Sequence, residues 1–356
     1  MSRSIDEPVT AVRNRRVDRL MKSAIAAMDL DLTDVGVLTE AASGHFEATC
    51  LMAALAGASP VVAVAKDSKW GRADEVISGV RSHAESLGVG DHLRFVSDVS
   101  SSDIRDCSLV TNLGFVRPLG AETISTLPKD AGISLMCEPW EVRSDDVDVN
   151  SAIWRSVPVA GTNETHPLVR TFDYLGPLTG QLLTTVGVEL LGSTVLVVAS
   201  RQFAGPIQDW LLAAGAARVD VAIPPLSESI HRYSFHCLDA LVLADMGRGT
   251  LGFDGLADGI PPLLARAGAA MVVIAGDVDP VPFESSGVVL NPHYPRPPGH
   301  MWVTTSAVGP KPVVDLHCAG LKVGELLVRA RRAGSSPEAA VESAVESGFG
   351  LAVSTS

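Results

Sequence analysis

Short, almost continuous apolar runs rich in β-branched residues recur along the chain, separated by helical stretches and small-residue turns. Residues 35–38, 61–65, 108–111, 133–136 and 157–160 are predicted strands of the first half, and residues 194–198, 219–223, 240–244, 271–275 and 288–290 of the second. Runs without polar alternation suit strands buried on both faces, and the helical stretches between them imply parallel sheets. The predicted fold class is therefore α/β. Residues 168–191, nearly uncharged and rich in Leu, Thr and Gly, read as a long linking helix that Gly176-Pro177 bends or restarts. Near the far end, Ser336-Pro337-Glu338 supplies a capping residue, a first-turn Pro and an acid ahead of a final helix over 339–345.

The two halves repeat one another. Val37-Leu38-Thr39-Glu40-Ala41-Ala42 leads through Gly44-His45-Phe46 into a helix ending at Ala56-Gly57-Ala58, followed by Val61-Val62-Ala63-Val64. Thr194-Val195-Leu196-Val197-Val198-Ala199 leads through Arg201-Gln202-Phe203 into a helix ending at Ala214-Gly215-Ala216, followed by Val219-Asp220-Val221-Ala222. The offset is 157 at Ala42/Ala199 and 158 at Gly57/Gly215. Two Rossmann-like domains follow, 1–167 and 192–312, joined by 168–191. A ligand is expected where the sheet order reverses or in the cleft between the halves.

Composition narrows the function. Across 356 residues, 46% are apolar and 19% charged, which excludes global disorder; the 5% of aromatics leaves the cores to Ala, Val and Leu. A net charge of −13 argues against a nucleic-acid partner. The basic stretch with Arg13, Arg15, Arg16 and Arg19 reads as a solvated surface helix. No apolar run is long enough to cross a bilayer, and the amino terminus lacks the apolar core of a secretory signal. Cys50, Cys107, Cys137, Cys237 and Cys318 are odd in number and dispersed, as in reduced thiols, so a cytoplasmic protein is expected. Rossmann enzymes commonly pair, which makes a homodimer possible.

The second βα turn can be set against Gly-x-Gly-x-x-Gly, whose glycines give a tight turn, close approach to a pyrophosphate and close helix packing. Here those positions are Ala199, Arg201 and Ala204, and the following strand ends without the acid that binds a ribose. Two readings stand: Arg201 pairs with a phosphate directly, or it covers a helix end on a domain that has lost dinucleotide binding. The first turn has Gly44, the strand-end acid Glu40 and Asp67 about 23 residues beyond Gly44, a spacing that can serve a ribose, a substrate or structure alone.

The order of elements resembles the D-2-hydroxyacid dehydrogenase and S-adenosylhomocysteine hydrolase superfamily. Gly192-Ser193-Thr194-Val195 is similar to its Gly-Lys-Thr-Val lead-in, and Met246-Gly247-Arg248-Gly249 to the segment with its substrate-binding Arg. Ala275-Gly276-Asp277-Val278 is similar to its Asp-Val turn, and Asp315-Leu316-His317-Cys318-Ala319-Gly320 to its His-x-Ala-Gly. The resemblance implies a flavodoxin-like domain, a Rossmann domain and a last segment, 313–356, packed back on the first. It also implies NAD or NADP as cofactor, held by Ala199, Ser200, Arg201, Gln202 and Phe203 with Asp245 and Asp277, and His317 and Arg248 as catalytic groups. The glycine loop departs from the family pattern, and a proline-rich stretch over 292–300, read as a semi-rigid loop, has no counterpart.

Polar residues gather at the other strand ends: Asn112 and Arg117 after the third, Glu138 after the fourth, Asn163, Glu164 and His166 after the fifth. With Gly44, His45 and Asp67 they are candidate substrate contacts, Glu164 and His166 also counting as catalytic candidates. No third ligand accompanies that pair, so no metal is expected. The chain reads as a small-molecule enzyme of dehydrogenase-like architecture acting on a polar, carboxylate-bearing metabolite. Non-redox chemistry on a nucleoside or amino-acid-like substrate, or ligand binding without catalysis, are the alternatives.

Overall fold

The computed structural model describes residues 6–143, 145–224, 233–246, 259–294, 296 and 300–353. It divides into two compact units, Met1–Arg170 with Pro310–Ser356, and Thr171–Gly309.

The first unit is built on strands β1 (Val37–Glu40), β2 (Val61–Val64), β3 (Leu93–Val96), β4 (Leu109–Thr111), β5 (Gly132–Ser134), β6 (Val159–Thr162) and, late in the chain, β12 (Gly350–Ala352). Their order is β3-β2-β1-β4-β5-β6-β12, parallel except for β12, which runs antiparallel to β6. Its helices are α1 (Asp6–Ala27), α2 (Ala48–Leu55), α3 (Ala73–Leu87), α4 (Ser101–Arg105), α5 (Ala121–Thr126) and α6 (Val149–Trp154), joined by α11 (Pro310–Arg332) and α12 (Pro337–Glu346). The second unit has β7 (Thr194–Ala199), β8 (Arg218–Ala222), β9 (Ala240–Ala244), β10 (Ala270–Ala275) and β11 (Leu290–Asn291), all parallel in the order β11-β10-β9-β7-β8. Its helices are α7 (Leu175–Thr185), α8 (Arg201–Ala213), α9 (Ile260–Ala267) and α10 (Val281–Ser285).

Both strand orders anticipated from the resemblance are present, in the opposite arrangement: the Rossmann order lies in the first unit and the flavodoxin-like order in the second. The reversal of direction falls between β1 and β4 in one sheet and between β7 and β9 in the other.

Alternating side chains on each buried strand feed two cores, one on each face. Val195, Val197 and Ala199 pack with α7 and α8 side chains, while Leu196 and Val198 pack with Leu264 and Phe283. In the first unit Val37 and Val61 face α1, α2 and α11, and Leu38, Val62 and Val64 face the opposite way. The repeat is visible in the backbone. Gly57 and Gly215 follow α2 and α8 with φ of 92° and 102°. Just beyond them, Ala58 N donates back to Ala53 O and Ala216 N to Leu211 O, at 3.0 Å in both.

The linking helix is shorter than its apolar run. Helix α7 covers only Leu175–Thr185, because Pro177 is tolerated only in a first turn and Gly187, at φ 81°, stops the helix.

Helix α11 lies against the first sheet at glycine distance. A Cβ on Gly324 would stand 2.5 Å from Leu109 Cγ and one on Gly320 2.3 Å from Met136 Sδ, while Ser134 Oγ donates to Gly320 O at 2.5 Å. Leu109 is fully buried and cannot step aside. Gly324→Ala is therefore expected to cost about 1–3 kcal/mol by overpacking. A melting temperature lower by on the order of 5 °C checks it, and an unchanged one would show a looser helix.

Candidate functional site

At the carboxyl edge of the first sheet the strand-end side chains are consumed in holding loops. Thr111 Oγ1 donates to Thr39 Oγ1 across β1 and β4 at 3.0 Å. Glu40, buried at the end of β1, accepts from Phe115 N at 3.0 Å, and burial pushes its carboxyl above the usual range against the opposing pull of that bond and of Arg117. Arg117 itself pairs with Asp146 at 2.8 Å. Asn112 accepts from Met136 N at 2.8 Å, pinning the end of β5 to β4. Gly44 makes the turn at φ 68°, His45 is half-buried beside it, and exposed Asp67 accepts from Ala73 N at the start of α3.

A second group forms beyond β5 and β6. Glu138 accepts from Trp140 Nε1 at 2.6 Å and from Glu164 N at 3.3 Å. Burial raises the Glu141 carboxyl above its ordinary range, and it shares a hydrogen bond with the buried Glu164. Asn163 donates to Gly348 O at 2.9 Å, and the His166 ring stacks on Phe349 at 4.0 Å while accepting from Leu168 N. Burial lowers the His166 pKa. Asn163 and His166 thus anchor the last strand, and Glu138 organises its own turn. Among the described residues, no group of three or more His, Cys, Asp and Glu is arranged to hold a metal.

His317 lies inside α11 rather than in a loop. It is 4% exposed, shares a hydrogen bond of 2.5 Å with Thr49 Oγ1 of α2, and sits 5.7 Å from the Phe46 ring. Burial pulls its pKa down to about 4. A general acid/base near neutrality needs a pKa near the working pH, which this environment does not give. Arg248, the other catalytic candidate, lies outside the described residues. All five cysteines are free, and burial pushes the Cys50, Cys107 and Cys318 thiols up to about 12, far from nucleophilic thiolate behaviour.

In the second unit a buried carboxyl lies at the sheet reversal. Ser200 stands at the N-cap of α8; its Oγ accepts from Met246 N at 3.1 Å and donates to Asp245 Oδ1, across the β7/β9 reversal. Asp245 is 5% exposed, and its Oδ2 is shielded from solvent with no hydrogen-bond partner among the described residues. Phe203 N and Ala204 N donate to Ser200 O, which leaves the amides of Arg201 and Gln202 as the first donors of α8. Both side chains are exposed. Phe203, a candidate cofactor contact, is instead core, its ring 5.1 Å from Phe172. Asp277 is exposed beyond β10.

Sequence reasoning names Ser200 and Asp245 separately and misses their pairing, which depends on the register Ala199↔Ala244. It also misses Thr49, whose signal is a hydroxyl on the otherwise apolar α2 that has to find a polar partner once buried.

No protein-family model and no curated protein matches the chain. Among solved structures, a dipicolinate synthase from Bacillus subtilis is 11% identical with a TM-score of 0.51, covering 85% of this chain and 99% of that one. The likeness is one of fold, two Rossmann-like α/β domains. A dipicolinate synthase from Bacillus halodurans is 12% identical (TM-score 0.49, 83% and 99% covered), and D-lactate dehydrogenase with NAD+ from Lactobacillus jensenii is 13% identical (TM-score 0.42, 85% and 99% covered). Among the described residues, no helix is long and apolar enough to cross a membrane.

The buried imidazole has a measurable sign. His317 stays neutral when folded down to about pH 4, whereas the unfolded chain takes up its proton near 6.5. Its stabilisation is thus present above pH 6.5 and lost as pH falls towards 4, by about 3 kcal/mol. Melting curves of the wild type and His317→Gln should diverge over that window; parallel curves would contradict the assignment.

Proposed function

We propose that this chain is a small-molecule enzyme of dehydrogenase-like architecture acting on a polar, carboxylate-bearing metabolite, bound at the β7/β9 edge of the second unit. One observation carries the reading. At the reversal of a doubly wound sheet, where ligands of such folds bind, the N-terminus of α8 offers amides beside a buried carboxyl oxygen, neither of which has a hydrogen-bond partner among the described residues. The helix end favours an anion, and exposed Arg201 adds a guanidinium at the same place.

NAD or NADP, the cofactor implied by the resemblance, does not fit these residues in the glycine-loop manner. Arg201 stands at the glycine where a pyrophosphate would touch bare backbone, and the Asp245 carboxylate one strand away repels phosphate. The ribose acid is absent too, since Asp220 lies within β8 and pairs with Arg218 at 2.9 Å. The chemistry is therefore derived without a dinucleotide: Ser200 orients Asp245, Asp245 accepts a proton-bearing group, and α8 holds an anion.

A second reading, a ligand-binding protein without catalysis, is favoured by the burial of His317 away from solvent. Incubating the purified protein with a cell-free metabolite extract separates the two. Depletion of one carboxylic acid by mass spectrometry supports the enzyme, and retention without conversion supports the binder. In the same preparation NAD and NADP at millimolar concentration should leave the melting temperature unchanged. A ligand at 100 times its dissociation constant would add about 2.7 kcal/mol, so a clear shift with either dinucleotide, or NAD released on denaturation, overturns the reading.

A further inference from the structure

We propose that the β7/β9 edge binds an α-amino acid headgroup, its ammonium on Asp245 Oδ2 and its carboxylate on the α8 N-terminus. This rests on the functional reading above and deepens it to a substrate class.

Asp245 presents a lone acceptor among the described residues. Asp245 is buried, and Ser200 Oγ engages Oδ1 alone, being itself held by Met246 N. Asp245 N is spent on Ala275 O, and Ser200 N on Ala244 O, so the backbone around the pair is satisfied and fixed. Oδ2 remains without a donor among the described residues and shielded from solvent. An acceptor in that position carries an unrecovered desolvation cost that a bound donor would cancel. A cation cancels more of it than a hydroxyl, because buried charge is compensated best by opposite charge.

The polarity of the surroundings sets the rest of the ligand. Ser200 is at once the partner of Asp245 and the N-cap of α8, so the acceptor lies beside the positive end of a 13-residue helix. The amides of Arg201 and Gln202 and the Arg201 guanidinium, which forms no ion pair among the described residues, all favour an anion. A donor cation and an anion required within one helical turn describe a molecule with ammonium and carboxylate on neighbouring atoms. The same arrangement disfavours a phosphodiester, which brings an anion and no donor to Oδ2. At the corresponding edge of the first unit the polar side chains are partnered: Glu40 is held by Phe115 N and Asn112 by Met136 N.

The test is equilibrium binding to the full chain with the proteinogenic L-amino acids. Each amino acid that binds is then compared with its deaminated acid and its α-hydroxy acid. The expected result is that at least one amino acid binds, and that its two analogues bind at least about tenfold more weakly, equivalent to 1.4 kcal/mol. Asp245→Asn keeps the acceptor for Ser200 and should cost the amino acid a similar factor while leaving the deaminated acid unchanged. Arg201→Ala, on an exposed side chain that cannot unsettle the core, should weaken all three. Equal affinity for the α-hydroxy acid, or an undiminished affinity in Asp245→Asn, overturns the proposal. If carboxylic acids bind regardless of the amino group, the broader reading stands and this one falls; if no carboxylate binds at all, both fall.

Discussion

The inner strands of the two parallel sheets are buried on both faces, so polar chemistry is confined to the strand ends, and there each donor or acceptor must find a partner. That constraint organises both units. In the first, the carboxyl edge is closed by its own side chains: Glu40 holds the loop after β4, Asn112 holds the end of β5, and Asn163 with His166 holds β12. In the second, the same kind of edge closes only partly. Ser200 secures one oxygen of Asp245, and the other has no hydrogen-bond partner among the described residues.

Helix α11 returns to the first sheet and lies on it through Gly320 and Gly324, bringing a dense apolar face over β4 and β5. His317 is carried into that face and kept neutral by burial, with Thr49 as its hydrogen-bond partner. A histidine there contributes to the fit of α11 on α2. In the second unit Ser200 joins the N-terminus of α8 to Asp245.

Much of the architecture is legible in the sequence because burial on both faces leaves a continuous apolar signature, as in Thr194–Ala199 and Val61–Val64. Strand β3 is not legible: it is an edge strand whose residues are half-exposed, so Leu93–Val96 alternates too weakly to stand out. Strand β12 is three residues long and exists through its pairing with β6. The two strand orders are anticipated as a pair with the halves exchanged, since order is set by crossovers and leaves no local pattern. The site shows the same limit. Individual polar residues can be named from strand ends, whereas Ser200 with Asp245, 45 residues apart, and Thr49 with His317, 268 apart, are products of register and helix packing. A short motif similar to His-x-Ala-Gly therefore suggests chemistry at a position that folding places in a core.

The central claim is that the orphan oxygen of Asp245 marks where a ligand's donor belongs. A crystal structure of the protein grown with a bound amino acid tests it most directly. The expected ligand nitrogen lies within hydrogen-bond distance of Asp245 Oδ2, with the carboxylate at the amides of Arg201 and Gln202. A ligand bound elsewhere, or at this edge with its carboxylate towards Asp245, would contradict it.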